Sequence, residues 1–507
     1  PPCLVDGKGR FTTQAGEQLE GKYILDANPV IIKDLKMRSL LLSKDVITHK
    51  YPMCPRSDTP LIYKSISTWF VRVEGIRDTM IKANHDIQWI PQHFKNGRFG
   101  NWLQGARDWA ISRNRVWGTP IPLWENDQTG DIICVKSLED LQEKAGIQIE
   151  DLHRDSVDSL TFRIPGIPGD FRRISEVLDC WFESGCMPFA QHGISPGESP
   201  RILDKSPGVS GEYPEKSPGD LTLNPGIFPA DFIAEGADQT RGWFYTLLVI
   251  CNALFGMSPF KSVIATGIVL AADGRKMSKR LKNYTPPDEL LKTQGADAIR
   301  ICLLHSSLTK GEDSAFADKD CKQVSRRFLV PWINALAFLS THAKLNSWHP
   351  HPPSRRKSSN LLDRWIRSRV NTLISDVRRH TDSYHLNQVP QLLFDFIEQL
   401  TNTYIRLNRP RFLPSESNTS EPSEPKSSEP NSSESKANDL HDAHQTLFSV
   451  LRLLSRVSAP FAPFLSEHSY QQLRKLEEIS ETPLNLRDSP EILTGRIPGF
   501  PGDLSGI

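Results

Sequence analysis

The chain has 507 residues, 38% hydrophobic and 24% charged, enough to bury a sizeable core divided among about two or three domains. A net charge of +1 and a pI near 7.9 leave no global basic field, so contact with a polyanion has to come from local patches. The eight cysteines are scattered without a Cys-x-x-Cys pair, which argues against a disulfide framework, gives no spacing for a structural zinc, and suits reduced thiols in a cytoplasmic compartment.

In chain order, residues 1–48 are mixed and turn-rich, with a helical pattern around Val30–Leu42. The opening Pro1-Pro2-Cys3 lacks Met and carries no signal peptide, so the chain is expected to lie inside a longer protein. Leu61-Ile62-Tyr63 and Trp69–Val73 are predicted strands. Arg163–Asp170 and Gly193–Gly226 are rich in Pro, Gly and Ser; neither can bury enough apolar surface to order itself, and the second is predicted to be a flexible insertion. The octet Arg163–Asp170 recurs almost unchanged at Arg496–Asp503, too short for a repeat architecture.

Residues 227–305 alternate in the βαβ manner. Strand Asp231–Ala234 leads to a helix from near Asp238 that carries Trp243–Leu254; strand Ser262–Ala272, a lysine-rich loop and helix Ala296–His305 follow. This predicts an α/β fold with a parallel, Rossmann-like sheet and nucleotide-binding loops at the strand ends. The longest apolar stretch, Trp243–Met257, is shorter than the ~20 residues that span a bilayer and carries Tyr245, Thr246 and Asn252, so a core helix is expected and no membrane contact. Beyond about residue 320 the pattern is helical: Phe328–Leu339, Leu361–His380, Val389–Leu407, Leu440–Val457 and Ser466–Ile479, with a disordered Ser/Glu/Pro run at Ser415–Lys436.

Four segments carry chemistry. Lys276-Met277-Ser278-Lys279-Arg280 follows Asp273-Gly274-Arg275. Two flexible ammonium groups with a hydroxyl between them and a glycine ahead suit a polyphosphate that is gripped and released; alone, a Lys-x-x-Lys segment is far more often a solvated basic turn. Arg107–Trp124 interleaves arginines and tryptophans before a Gly/Pro turn, and alone could be a core strand with surface cations. Asp179-Cys180-Trp181-Phe182-Glu183-Ser184-Gly185 sets an aromatic pair between carboxylates, a pattern that alone is more often structural than functional. Glu235-Gly236-Ala237-Asp238-Gln239-Thr240-Arg241-Gly242-Trp243 puts acidic and amide groups at a strand-to-helix junction, where α/β proteins bind ligands and where Asp238 could also cap a helix.

With these four in their chain order, the lysine loop last, the chain resembles the isoleucyl-tRNA synthetases of the eukaryotic cytosolic type, within the class I aminoacyl-tRNA synthetases. Lys276–Lys279 stands as their Lys-Met-Ser-Lys signature, closed by Arg280 where bacterial members commonly have Ser, and Ile111–Pro122 is similar to the isoleucine enzymes rather than the valine or leucine ones. Asn402–Arg409 is similar to the family's anticodon-binding domain. The resemblance implies an ATP-dependent condensation of L-isoleucine to isoleucyl-adenylate, Mg2+ arriving with ATP, followed by transfer to tRNA(Ile). Lys276 and Lys279 would be catalytic, with Met277 and Ser278 completing the ATP contact. Glu235, Gly236, Asp238, Gln239 and Trp243 would hold the aminoacyl-adenylate, Trp243 walling the isoleucine side chain. Arg406, Arg409 and Arg411 would meet tRNA; Arg364, Arg367, Arg369, Arg378 and Arg379 could also face phosphates or simply solvent. Other synthetases in a complex are a further partner that the resemblance allows. An editing site is expected too, because one methylene separates valine from isoleucine by only about 1–3 kcal/mol, a limit for which isoleucine enzymes are the usual example.

The implied domains are 1–48, the close of an editing insertion; 49–305, the later part of the catalytic domain with the insertion at 193–226; 306–358, a connecting helical region; 359–480, an anticodon-binding helical domain with a loop at 415–436; and a tail at 481–507. The family's His-x-Gly-His signature is missing, with His192-Gly193 the nearest fragment, and so are the threonine-rich editing segments. Ser57 breaks the Cys-x-x-Cys half-site that bacterial relatives can carry from Cys54. The resemblance therefore implies the C-terminal portion of an enzyme, inactive alone because half the ATP site lies elsewhere. Two alternatives remain open: a non-catalytic tRNA-binding protein and a valine-specific synthetase.

Overall fold

Three runs form the parallel sheet, of which Phe260–Thr266 and Gln88–Ile90 are rich in β-branched and aromatic residues. Strand Ala230–Gly236 pairs with Phe260–Thr266 from Ala230 opposite Phe260 to Gly236 opposite Thr266, and Phe260–Thr266 pairs on its other side with Gln88–Ile90. In the computed structural model, which describes residues 3–54, 57–191, 228–351, 358–413 and 431–478, this sheet lies in one of two compact units. That unit comprises Val73–Arg107, Ser137–Leu141 and Cys180–Ile507; the other comprises Pro1–Arg72, Asp108–Lys136 and Gln142–Asp179. The insertion at 193–226, residues 415–430 of the Ser/Glu/Pro run, and the tail at 481–507 fall outside the described residues.

Helix Trp243–Phe255 buries every residue from Phe244 to Asn252, so its apolar surface runs all round and only the core can hold it. Gly256, at φ 67°, ends it by donating to the Asn252 carbonyl. The single predicted helix from Asp238 is instead a 3-10 turn, Ala237–Arg241, broken at Gly242 before the α-helix starts. Helix Cys180–Gly185 packs closely on it: a Cβ at Gly185 would lie 2.7 Å from Ile250 Cδ1. Among the described residues no helix is long and apolar enough to cross a membrane.

The predicted strand Ser262–Ala272 is also broken. It stops at Thr266, and Val269–Leu270 pairs in parallel with a distant segment, Ser314–Ala315. Leu61–Tyr63 is not a strand, and Trp69–Val73 reduces to Phe70–Val71. Leu61 is 47% and Tyr63 90% exposed, so this β-prone run has no sheet face to bury.

The second unit holds a four-stranded antiparallel sheet that the sequence reading did not foresee, in the order Ile132–Cys134, Leu123–Asn126, Phe171–Arg173, Thr161–Phe162. Trp124, Phe162 and Phe171 are its core. The Pro/Gly patch Arg163–Asp170, expected to be unordered, is its hairpin connection. An Arg163–Asp170 ion pair and the Asp170 N–H donating to Asp127 Oδ1 (2.8 Å) hold the turn, and Gly166 and Gly169 take φ 85° and 91°. Turn chemistry ordered it where apolar burial could not.

One apolar core runs through the helical half, from Ala298 and Ile301 on helix Ala296–His305 to Leu473 and Leu476 on Pro463–Glu478. Buried Asp297 accepts from the Phe464 and Leu465 N–H groups (3.3 and 2.8 Å), so a carboxylate meets the first turn of the last helix. Helices Val330–Leu345, Leu361–Asp382, Val389–Glu398 and Asn431–Ser458 share this core, and a π-helical turn, Gln399–Ile405, interrupts the long helix predicted over Val389–Leu407. Residues 431–436, expected to be disordered, belong to the Asn431–Ser458 helix.

His444 lies fully buried in this core. Its Nδ1 donates to the Leu440 carbonyl (2.9 Å), and the His342 backbone also lies against the ring. Trp348 and Phe412 pack on the ring at 5.3 and 4.8 Å, and His342 and His441 face it. Burial, aided by His342 and His441, depresses its pKa below the usual imidazole value. The unfolded chain therefore binds the extra proton first, and stability present above the ordinary histidine pKa is lost as pH falls toward the folded value. The urea midpoint is expected to drop between pH 7 and 5.5, with a slope from this one group of up to about 1.4 kcal/mol per pH unit. In His444→Gln the slope should shrink; an unchanged slope would place the titration elsewhere.

Candidate functional site at the carboxyl edge of the parallel sheet

Strands Ala230–Gly236 and Phe260–Thr266 run in parallel, so the chain leaves both at the same edge. Glu235, opposite Ala265, is exposed there, and the Thr266 hydroxyl donates to its carbonyl (3.4 Å). Chain crossings at such edges leave the crevice in which α/β proteins bind ligands. Gly236 follows, where a Cβ would lie 2.5 Å from Asp238 Oδ1, so the glycine lets the carboxylate fold back over the backbone. Gln239 Nε2 donates to Asp238 Oδ2 (3.1 Å), and Gln239 Oε1 accepts the Trp243 N–H (3.0 Å). Gln239, not Asp238, therefore satisfies an orphan donor at the start of the core helix.

The Trp243 indole N–H donates to the Ser184 carbonyl (3.1 Å), which orients the half-buried ring. The same turn brings in a residue outside the predicted set. A Cβ at Gly242 would touch the Trp181 ring at 3.3 Å, so Trp181, 40% exposed, packs over Gly242 beside Trp243. The sequence signal was the aromatic pair Trp181-Phe182, but only packing says which chain segment it meets. All five predicted residues from Glu235 to Trp243 thus lie on one strand–turn–helix junction.

The lysine loop leaves the neighbouring strand. Gly267 is pressed against the 312–313 backbone: a Cβ there would sit 1.9 Å from the Glu312 carbonyl oxygen. Asp313 Oδ1 accepts the Ile268 N–H (2.8 Å), and Val269–Leu270 then pairs with Ser314–Ala315. Gly267→Ala is expected to cost at least the 1–3 kcal/mol typical of overpacking, because the obstacle is backbone. Urea unfolding measures that loss, and hydrogen exchange should rise over residues 268–283; wild-type values in both would mean that the close approach is dispensable.

Beyond Leu270 the loop doubles back. Gly274, at φ 77°, donates to Ala271, and Asp273 accepts from the Arg275 backbone and guanidinium (3.0 and 2.7 Å). These bonds hold the Asp273 carboxyl below its usual range and occupy Arg275. Lys276 and Lys279 are exposed, with Met277 and Ser278 half-buried between them. Asn283, which sequence reasoning passed over, spans the loop: its Oδ1 accepts the Ser278 N–H (3.0 Å) and its Nδ2 donates to the Lys276 carbonyl (3.2 Å).

In the helical half, Arg406 and Arg409 are exposed, as an anion-binding role requires. Arg411 is a correction. Its guanidinium, 11% exposed, donates to both oxygens of fully buried Asp363 (2.9 Å each) and to both of Asp439 (2.9 and 2.7 Å). A cation spent on two carboxylates cannot meet a phosphate without leaving buried Asp363 unpaired. Arg367 and Arg369 also have internal partners, Thr446 and Gln399.

Comparison with known proteins agrees with this arrangement. Residues 18–315 match the family described as tRNA synthetases class I (I, L, M and V), and residues 363–494 match the anticodon-binding domain of tRNA ligase. The chain is 46% identical over 408 residues to an isoleucine–tRNA ligase of Bdellovibrio bacteriovorus, covering 80% of this chain and 36% of that protein. With one of Protochlamydia amoebophila it is 45% identical over 412 residues, 81% and 37% of the two. The chain thus spans little more than a third of the length of these curated relatives. Among solved structures, a Mycobacterium tuberculosis methionyl-tRNA synthetase in complex with methionyl-adenylate shares the fold, with a TM-score of 0.55 at 17% identity over 83% of this chain and 65% of that one. A parallel sheet with a lysine loop at its carboxyl edge, joined to a helical bundle and matched by these models and relatives, places the chain among the class I tRNA synthetases (I, L, M and V).

Proposed function

We propose that this chain carries the lysine-loop part of an isoleucine–tRNA ligase of the eukaryotic cytosolic type, working in the cytoplasm. The observation that carries this reading is the shared edge: the Glu235–Trp243 junction and the Lys276–Lys279 loop leave adjacent parallel strands. The isoleucine carboxylate is itself the nucleophile, so no protein base is needed to form the adenylate. Catalysis reduces to positioning the reactants and stabilising charge on the transferring phosphoryl group.

In this reading Lys276 and Lys279, with the Ser278 hydroxyl, hold the phosphates of ATP and the departing pyrophosphate. Glu235, Gly236, Asp238 and Gln239 hold the adenylate, and Trp243 with Trp181 gives isoleucine an apolar wall. Mg2+ enters on the phosphates of ATP; the described residues include no cluster of three or more His, Cys, Asp or Glu side chains placed to hold a metal, and no step is assigned to the ion. Exposed Arg406 and Arg409 meet tRNA(Ile) phosphates in a domain that begins near residue 359. An editing site and association with other synthetases belong to the longer polypeptide.

The test is amino-acid-dependent ATP–pyrophosphate exchange by the full-length polypeptide that contains this chain. Isoleucine should drive it and valine should be the weaker substrate; valine-dependent exchange alone would overturn the specificity. Salt-dependent tRNA binding on filters with no exchange for either amino acid would leave a tRNA-binding protein instead.

A further inference from the structure

We propose that Asn283 is the positioning residue of the lysine loop, its side-chain amide holding Lys276 and Lys279 in the geometry that takes a polyphosphate. The inference rests on reading the loop as an ATP site and adds a residue that acts through the lysines. The carboxamide mimics a strand partner. Its oxygen accepts from Ser278 and its nitrogen donates to Lys276, so the backbone on both sides of Met277 is closed against one rigid group.

The rest of the loop is tied at its ends. Before it, Leu270 bridges Lys276 and Arg275 is occupied by Asp273; after it, Leu281 and Lys282 donate to the Ser278 carbonyl, and the Thr285 hydroxyl donates to Asp318. Lys282 takes φ 46°, an angle a lysine adopts only under such constraint, and it turns the chain so that Asn283 faces back into the loop. Between these ties Asn283 provides the described side-chain bonds to the signature backbone itself.

Only an amide of this length does both jobs. Alanine loses both bonds. Aspartate keeps the acceptor for Ser278, loses the donor to Lys276, and sets an anion beside two cations that must bind phosphate.

The test uses the full-length polypeptide that contains this chain, with inorganic pyrophosphate as probe, measured by calorimetry, alongside hydrogen exchange over residues 276–283. Exchange should be slowest for wild type, intermediate for Asn283→Asp and fastest for Asn283→Ala, with the urea midpoint unchanged. Pyrophosphate affinity should follow a different order: roughly 5–10-fold weaker in Asn283→Ala and weaker still in Asn283→Asp, a crossing that lost order alone does not produce. Wild-type affinity in Asn283→Ala would overturn the positioning role and leave the ATP reading standing. No pyrophosphate binding by the wild-type full-length polypeptide would overturn both.

Discussion

Replacing Asp363 with alanine is expected to destabilise the helical half by about 3–5 kcal/mol, read as a drop in the urea midpoint at unchanged slope. The carboxylate is fully buried and serves three elements at once. It accepts two bonds from Arg411, one from the Tyr404 hydroxyl (2.7 Å) and one from the Ser358 hydroxyl (2.7 Å). Arg411 carries the connection on to Asp439 in the Asn431–Ser458 helix. Burial and the adjacent carboxylate push the Tyr404 hydroxyl well above its ordinary pKa, so it stays a donor at any pH at which the protein is folded. Alanine would take the bidentate acceptor from a largely buried guanidinium, leaving it Asp439 and Asn408, and would leave the buried phenol only the longer bond to the Ala443 carbonyl (3.4 Å). Adding Arg411→Met should recover part of the loss, because it removes the buried charge that has lost its main partner. A single-variant cost under about 1 kcal/mol would mean that the apolar core alone holds these helices.

Lys279→Ala is expected to lower isoleucine-dependent pyrophosphate exchange of the full polypeptide by about 100- to 1000-fold, the scale for deleting one donor that meets developing charge. This follows from the proposed function. The interaction strengthens as pyrophosphate leaves, so kcat should fall and the KM for isoleucine should hardly move. Arg280→Ala is the control: exposed and next in sequence, it should change the rate far less. A similar fall in both would point to general loss of basic charge, and no fall in either would remove the loop from the chemistry.

Two of the parallel sheet's three strands were legible because apolar runs, a strand-to-helix junction and a lysine loop follow one another there at βαβ spacing; the third, Gln88–Ile90, is three residues long and was not. The helix Ala296–His305 matched its pattern at both ends because its apolar positions and its flanking Gly295 agree. The antiparallel sheet was not legible. Its strands are two to four residues long, and strands that short have no readable period. Their pairing depends on a Pro/Gly turn whose order comes from an ion pair and positive-φ glycines. Arg411 failed for a related reason: composition says that an arginine is cationic, but not whether a carboxylate far along the chain has already claimed it.

Residue type and local order alone determined the class of chemistry. Two lysines around a serine after a glycine turn, and an acidic–amide run where a strand becomes a helix, are properties of contiguous chain, so they survive without a structure. Tertiary structure alone decided which residues hold those segments. Asn283 is five residues past Ser278, Glu312 and Asp313 press and tether the root of the loop from the segment just before strand Ser314–Ala315, and Trp181 reaches Gly242 across a long separation in sequence. Hydrogen bonds and close contacts of this kind depend on where the backbone brings groups together, and chain order does not encode that distance.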